Sequence, residues 1–294
     1  MANRDKLKTV ILFLTPAVVL YGVFFVFPMV QAFYVALFQW RGVSMDKHFV
    51  GLANFHKLLF DDPIFWAALG HNLAFLVVSL LVVIPLALFF ATALNSKLRG
   101  AQTFRAIYLF PNMISVVAVA VLWAFVYHPN IGMLNAIVNA FGGHASDNGW
   151  LGDPKTALPC IIGTSMWYSL GFYIVLFLAG VQSIPRSFYE AAEIDGAGAW
   201  AQFRFVTIPL LWEILKLGII YLIIHTINIF GLVWVMTEGG PSNHTDTLLT
   251  YLYRLAFMDS NFGYATAVGV VVFIFIFLIV VSFIRLMRRE VVEY

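Results

Sequence analysis

The chain has too few charged side chains to cover the surface of a water-soluble protein. Asp, Glu, Lys and Arg make up 11% of its 294 residues, whereas 62% of the residues are apolar. Soluble domains carry about 25% charged residues and roughly 45–50% apolar ones. The composition therefore excludes a soluble globular protein and indicates that lipid surrounds much of the chain.

The chain also has few cysteines and a small net charge. The lone Cys160 excludes an intramolecular disulfide, and the histidines add no cluster with the spacing of a zinc site. The net charge of +2 is too small for the strongly basic face with which proteins bind nucleic acid. We therefore expect no metal, no cofactor held by this chain and no nucleic-acid partner.

Long runs without any charged residue are the most informative pattern in the sequence. A bilayer core about 30 Å thick needs about 20 apolar residues of helix, because a helix satisfies its own backbone hydrogen bonds without water. Six runs meet this length, and the spans predicted from them lie at about 9–40, 73–94, 106–127, 157–184, 212–237 and 264–286. The sequence predicts an all-α membrane protein with six transmembrane helices and a single domain over residues 1–294.

Lys and Arg are distributed unequally between the loops on the two sides of these spans. Twelve of the 17, among them Arg4, Arg105 and Arg186, fall on the side of the N-terminus, and five fall on the other side. Cytoplasmic loops carry the excess of positive charge. Both termini, and the loop at 185–210, are therefore predicted to lie in the cytoplasm.

The charge-free runs offer little for catalysis or ion coupling. They contain no carboxylate, and His225 is their only histidine. Ionisable groups at membrane depth usually mark a proton or ion pathway, so the lack of carboxylates disfavours a transporter driven by its own ion gradient. A stand-alone secondary carrier for a neutral polar solute stays as the alternative, and an intramembrane enzyme using Ser165 or His225 is a weaker one. No lysine follows a glycine, which excludes the G-x-x-x-x-G-K-[ST] phosphate loop. Energy from ATP would have to come from another polypeptide.

Neutral polar and aromatic side chains recur in the fourth and fifth predicted spans. The candidate positions are Trp167, Tyr168 and Gly171 in the fourth span and His225, Thr226, Asn228 and Trp234 in the fifth. Hydrogen-bonding groups beside aromatic faces suit a neutral polyhydroxylated ligand such as a sugar. The same residue types also pack helices together in membranes, so each position has two interpretations.

The loop between the fourth and fifth spans carries the signature of a short helix. Ser187 and Glu190 have the spacing of a capping box. Ala191 and Ala192 favour helix, and Gly196 can adopt the left-handed conformation that ends one. The pattern predicts an exposed helix over 187–196, and one face of this helix carries Phe188, Ala191, Ala192 and Asp195. The helix either fits a socket on a partner protein or merely connects two spans.

This loop resembles the Glu-Ala-Ala loop of binding-protein-dependent ABC importer permeases. Glu190-Ala191-Ala192 is followed by Gly196 and then by Val206-Thr207-Ile208-Pro209. Gly51-Leu52-Ala53-Asn54-Phe55 and Thr237-Glu238-Gly239-Gly240-Pro241 resemble the carbohydrate branch of these permeases. The chain is thus similar to a six-span, MalF-like permease subunit of a sugar importer.

The resemblance implies a type I ABC importer permease fold in the inner membrane of a prokaryote. It implies that the loop helix couples to an ATPase, and that the candidate pathway residues of the fourth and fifth spans contact the sugar. The coupling residues would be Ser187, Tyr189, Glu190, Ala191, Ala192, Asp195, Gly196 and Pro209.

The implied partners are a second homologous permease, two ATP-binding cassette subunits, an extracytoplasmic sugar-binding protein and membrane lipid. ATP and Mg²⁺ would bind to the cassette subunits. In this interpretation the chain forms half of the translocation pathway and is not itself an enzyme.

Overall fold

The computed structural model of the protein describes residues 2–42, 46–95, 101–143 and 149–288, which are mostly helical. The α-helices are α1 (Ala2–Tyr21), α2 (Phe27–Val35), α3 (Ala53–His56), α4 (Pro63–Asn95), α5 (Ala101–Met113), α6 (Val116–Val126), α7 (Met133–Ala140), α8 (Ala157–Ser183), α9 (Arg186–Ile194), α10 (Ala199–Gln202), α11 (Ile208–Leu210), α12 (Trp212–Ile227), α13 (Gly231–Thr237), α14 (Leu248–Tyr253) and α15 (Phe262–Leu286). The strands are β1 (Phe38–Trp40) and β2 (Lys47–Phe49), and π-helical turns lie at Gly22–Val26, Lys57–Asp61, Phe203–Thr207 and Arg254–Met258.

The long apolar helices agree with a multi-pass membrane protein. Within the described residues, five stretches are long and apolar enough to cross a bilayer: Val10–Val35, Pro63–Asn95, Ala157–Ser183, Trp212–Thr237 and Phe262–Leu286. A sixth span results if α5 and α6, which meet at an angle of 102°, cross together. The six predicted spans correspond to these five stretches and the bent pair.

The first two predicted spans differ from the observed helices at their ends. The span predicted at 9–40 is too long, because α2 ends at Val35 and Phe38–Trp40 form β1. β1 pairs antiparallel with β2, with Gln39 opposite His48. The span predicted at 73–94 is too short, because α4 begins at Pro63. Residues 63–72 also lack Asp, Glu, Lys and Arg, so here the helix follows the full charge-free run. In the first span, by contrast, the charge-free run continues past the end of the helix, since strand pairing also satisfies backbone groups.

The third and fifth predicted spans are interrupted. The predicted 106–127 contains the bend between α5 and α6, where Ser115 has an extended ψ of 134°. The predicted 212–237 is broken between Ile227, where α12 ends, and Gly231, where α13 begins. Broken helices are tolerated at membrane depth where protein surrounds the freed backbone groups or a cavity adjoins them.

The described residues form two compact units, and the first consists of 1–63 with 252–274. In this unit the Asn54 side-chain amide donates to the backbone carbonyls of Ala36 (2.8 Å) and Phe38 (3.0 Å). These two bonds connect α3 to the end of α2 and to the start of β1.

The second unit consists of 64–251 with 275–294, and it holds the fourth and fifth spans. Its core joins α4, α6, α8 and α13. The buried core residues are Phe75, Val119, Ala120, Tyr127, Ile161, Ile162, Ile229, Leu232, Val233 and Met236. Helices in lipid associate through close packing rather than through escape from water. This packing holds the break of the fifth span beside α6 and α8.

Candidate functional sites

The helix predicted in the loop is α9, and it begins without the predicted capping box. Pro185 occupies the N-cap position, and within 185–194 no side-chain hydrogen bond caps the helix. The prediction that Ser187 and Glu190 form a capping box is therefore wrong, since Ser187 lies inside the first turn of the helix. Proline is suited to a helix boundary, because its φ is fixed and it has no N–H to satisfy.

Gly196 ends α9 in the left-handed conformation predicted for it, with φ of +80°. The Gly196 N–H donates to the Glu193 carbonyl (3.0 Å), and the Ala197 N–H donates to the Ala192 carbonyl (2.8 Å). This pair of bonds is the Schellman motif, which satisfies carbonyls left over at a helix end. Glycine adopts this conformation at no steric cost.

One face of α9 lines a large open cavity of about 1430 Å³. The residues on this face are Arg186, Tyr189, Glu190 and Glu193, and the other walls come from the C-terminal part of α4, the end of α8 and segment 199–208. Tyr189 is fixed there, because its hydroxyl lies 3.1 Å from the hydroxyl of the buried Thr207. Tyr189 thus connects α9 to the turn that precedes Pro209.

The opposite face of α9 is exposed and partly apolar. Phe188, Ala191 and Asp195 lie on it at helical spacing, and all three are exposed. Ile194 beside them is 87% exposed. Ala192, predicted on the same face, is half-buried and turns toward the protein. The predicted coupling residues of α9 are therefore divided between this face, the cavity face, the side turned toward the protein and the end of the helix, and Pro209 lies in α11.

A second cavity, of about 300 Å³, lies at the break in the fifth span. It is lined by Val116, Ser165, Tyr168, His225, Asn228, Ile229, Phe230, Gly231 and Leu232. Three of the predicted pathway residues, Tyr168, His225 and Asn228, are thus brought together from two helices. Asp, Glu, Lys and Arg do not occur among these described lining residues, so the cavity offers hydrogen-bonding groups and rings without fixed charge.

The polar side chains of this cavity are held in place by contacts with neighbouring carbonyls and rings. The Tyr168 hydroxyl donates to the Ile114 carbonyl at 3.2 Å, which connects α8 to the bend between α5 and α6. The Asn228 amide donates to the Ile224 carbonyl at 2.9 Å. The His225 ring stacks on Tyr221, with a centroid distance of 6.2 Å and an interplanar angle of 21°. The cavity wall is therefore formed largely in advance of any ligand.

The other predicted pathway residues lie outside the cavity lining. Thr226 is buried, and its hydroxyl donates to the Leu222 carbonyl at 2.8 Å. Gly171 faces α5, where a Cβ would lie 1.8 Å from the Tyr108 carbonyl oxygen. The contact of Gly171 with α5 agrees with the helix-packing interpretation, whereas the Thr226 hydroxyl is used within α12 itself.

The two predicted tryptophans lie in ring clusters next to the cavity. Trp167 meets Trp123 edge to face at 5.4 Å, and Trp234 stacks on Phe230 at 5.8 Å. Trp234 thus contacts Phe230, which lines the cavity, but is not itself among the lining residues.

Sequence reasoning missed two residues that matter at this break. Phe230 lines the cavity, and Asn72 of α4 donates to the Thr226 carbonyl at 2.8 Å. Phe230 is ordinary in an apolar run and gave no signal. Asn72 is an amide at the edge of such a run, which could have marked it as a candidate for a buried hydrogen bond. Its partners could not have been identified, because they lie far away in the sequence.

Residues 83–292 match the family of binding-protein-dependent transport system inner membrane components. The chain belongs to this family. The resemblance drawn from the loop at 185–210 is thereby confirmed, and the protein is a multi-pass component of the inner membrane. The family is one of transport components, not of enzymes.

Relatives similar to the chain over most of its length support this assignment. The diacetylchitobiose uptake system permease protein NgcF of Streptomyces coelicolor is 37% identical over 279 residues, which cover 91% of this chain and 78% of NgcF. The lactose transport system permease protein LacF of Rhizobium radiobacter is 37% identical over 264 residues, covering 88% of this chain and 87% of LacF.

The fold agrees with a solved permease structure. A crystal structure of a bacterial ABC transporter involved in the import of the acidic polysaccharide alginate matches with a TM-score of 0.82 and 24% identity, covering 98% of this chain and 96% of that one. The predicted all-α ABC importer permease fold is therefore confirmed.

Proposed function

We propose that this chain is the permease subunit of an ATP-driven importer of a neutral oligosaccharide or related polyol. The whole chain, 1–294, acts as one permease domain and forms half of the pathway. A second homologous permease forms the other half, two ATP-binding cassette subunits supply the energy, and an extracytoplasmic sugar-binding protein delivers the cargo.

The uncharged cavity at the break in the fifth span is the observation that carries this proposal. Its lining joins the Tyr168 and Phe230 rings to the hydrogen-bonding groups of His225 and Asn228. Sugar hydroxyls need polar partners, and sugar C–H faces pack on aromatic rings. An acidic cargo would favour fixed positive charge, which the described lining lacks. The names of NgcF and LacF, a diacetylchitobiose and a lactose permease, support the same class of cargo.

The exposed face of α9 supports coupling to a separate ATPase. Phe188, Ala191 and Ile194 offer a small apolar surface, and Asp195 and Gly196 close it at the helix end. The sequence has no phosphate loop of its own, so the ATP-binding site belongs to another chain. With both termini in the cytoplasm, as the distribution of Lys and Arg favours, α9 lies on the side where ATP is available.

The test is transport by the purified complex in liposomes. The chain is tagged, co-expressed with the ATPase, second permease and binding protein of its own host, purified and reconstituted with ATP inside the vesicles. Radiolabelled lactose, maltose and diacetylchitobiose are the probes. We expect uptake of at least one of them that requires both ATP and the binding protein.

Two results would contradict the proposal. Failure of an ATP-hydrolysing subunit to co-purify with the chain would remove the coupling role. Uptake by the chain alone, without ATP or binding protein, would favour a stand-alone secondary carrier.

A further inference from the structure

The break in the fifth span leaves backbone carbonyls that the helices themselves do not satisfy. Thr226 and Ile227 belong to the last turn of α12, and Ile229 lies in the break between α12 and α13. The last four carbonyls of a helix have no partner within it. In a dry interior such groups must be paired by other means. The partners found here come from two other parts of the chain.

Asn72 of α4 is fully buried and uses both ends of its amide. Its Nδ2 group donates to the carbonyls of Thr226 (2.8 Å) and Ile227 (3.2 Å). Its Oδ1 atom accepts from the backbone N–H of Leu248, at the start of α14, at 2.8 Å. Carbonyls need a donor and an N–H needs an acceptor, so this set of partners permits only one orientation of the amide.

Thr247, also fully buried, acts on the other side of the break. Its hydroxyl donates to the Ile229 carbonyl at 3.0 Å. The segment that carries Thr247 is itself attached to α4, because the His71 ring lies 2.7 Å from the Asp246 carbonyl. Two side chains therefore pair three carbonyls that flank Asn228.

We propose that Asn72 and Thr247 are positioning residues for the cavity at the break. They hold the backbone on both sides of Asn228 and thereby present Asn228 and His225 to the cargo, although neither residue lines the cavity itself. The proposal rests on the proposed function, since it takes this cavity as the cargo site. Without these bonds, the chain itself can pair the carbonyls of Thr226 and Ile227 by closing the break into continuous helix, so we expect their loss to favour that closure.

Accessibility of position 228 tests this positioning directly. Cys160 is the only cysteine, so Cys160→Ala followed by Asn228→Cys gives a single labelling site. The rate of modification by N-ethylmaleimide is measured in membranes that contain the assembled transporter. We expect Asn72→Leu to slow the labelling about fivefold, because loss of the buried hydrogen bonds favours the closed helix.

Asn135→Leu is the matched control. Asn135 is also a buried amide, but its hydrogen bonds go to the Pro129 carbonyl and to Trp150 and not to the carbonyls of the break. A labelling rate in Asn72→Leu that changes no more than in Asn135→Leu would overturn the role of Asn72. A labelling rate that falls further in Asn72→Leu than in this control supports it, and a faster rate would overturn it.

Thr247 provides a second test should Asn72→Leu fail to accumulate. Thr247→Val removes the hydroxyl at nearly constant shape, whereas Thr247→Ser keeps it. We expect slow labelling in Thr247→Val and the original rate in Thr247→Ser. Equal rates in the two variants would overturn the proposal.

Transport kinetics separate this proposal from the proposed function. With lactose, maltose and diacetylchitobiose as probes, and uptake normalised to the amount of complex, Thr247→Val should raise the KM about fivefold with a smaller change in kcat. A changed kcat with an unchanged KM would overturn the cargo-positioning role. The labelling experiment contains no sugar. If none of the three sugars is transported, the labelling rate therefore still shows whether Asn72 and Thr247 hold the break open.

Discussion

Replacing Gly171 by alanine should separate α5 from α8. The added Cβ would lie 1.8 Å from the Tyr108 carbonyl oxygen and 2.6 Å from the carbonyl carbon. A carbon and a carbonyl oxygen normally approach to about 3.3–3.6 Å, so the two backbones must move apart by roughly 1.5 Å. Because the obstacle is backbone, no change of side-chain rotamer relieves it. Overpacking of this kind costs about 1–3 kcal/mol.

Gly163 in the same helix provides the control. The nearest atom to a Cβ at Gly163 is the Tyr127 hydroxyl oxygen at 4.0 Å, so alanine fits there. Alanine is favoured over glycine by about 1 kcal/mol inside a helix. Gly163→Ala should therefore leave the protein as stable as before or slightly more stable.

Thermal loss of monodisperse complex in detergent, followed by size-exclusion chromatography, measures the difference. We expect the midpoint to fall by about 2–12 °C in Gly171→Ala and not to fall in Gly163→Ala. Equal midpoints in the two variants would refute the packing argument. A raised KM for uptake with normal stability would instead favour the predicted contact between Gly171 and cargo.

Three further predictions concern α9 and the cavity. Gly196→Val should insert normally, since a Cβ there meets nothing within 4 Å. Because the left-handed backbone costs valine about 1–2 kcal/mol, we expect weak ATPase co-purification and no uptake, with a milder effect in Gly196→Asn. Normal uptake by Gly196→Val would contradict the coupling role. Asn228→Leu should lower transport while the binding protein keeps its sugar affinity in calorimetry, and unchanged uptake kinetics would remove Asn228 from the pathway. Tyr189→Phe and Thr207→Val each remove the hydrogen bond between these two hydroxyls, worth about 0.5–1.5 kcal/mol, and Thr207→Val also removes the donation to the Gln202 carbonyl at 3.5 Å. The double variant should therefore lower the thermal midpoint no further than the larger single effect, and additive losses would show that the bond between the hydroxyls does not exist in the assembled transporter.

Local patterns predicted the parts of the site that depend on local interactions. The end of α9 at Gly196 follows from the glycine itself, since both bonds of its Schellman motif lie within 192–197. The start of α9 was mispredicted, because Ser187 and Glu190 have the spacing of a capping box but Pro185 sets the boundary two residues earlier. Two local signals competed there, and the more rigid residue prevailed.

The cavity could be predicted only in part, because its lining depends on helix rotation. Tyr168 faces the cavity, whereas Trp167 next to it packs on Trp123 and Gly171 one turn later touches α5. These residues are similar in kind and close in sequence. Which of them faces the cavity is decided by the neighbouring helices, which a pattern along one helix does not contain.

By itself, the sequence determined that this protein is embedded in a bilayer, how many segments are long enough to cross that bilayer, and which loop carries the family motif. Hydropathy and short motifs are properties of contiguous residues, so the sequence alone shows them. Only the tertiary structure decided that α2 gives way to a strand after Val35, and that the fifth span breaks at Asn228. The physical reason is the same in both cases. In both places the backbone groups that leave the helix pair with another part of the chain, which is β2 for the strand and Asn72 for the break.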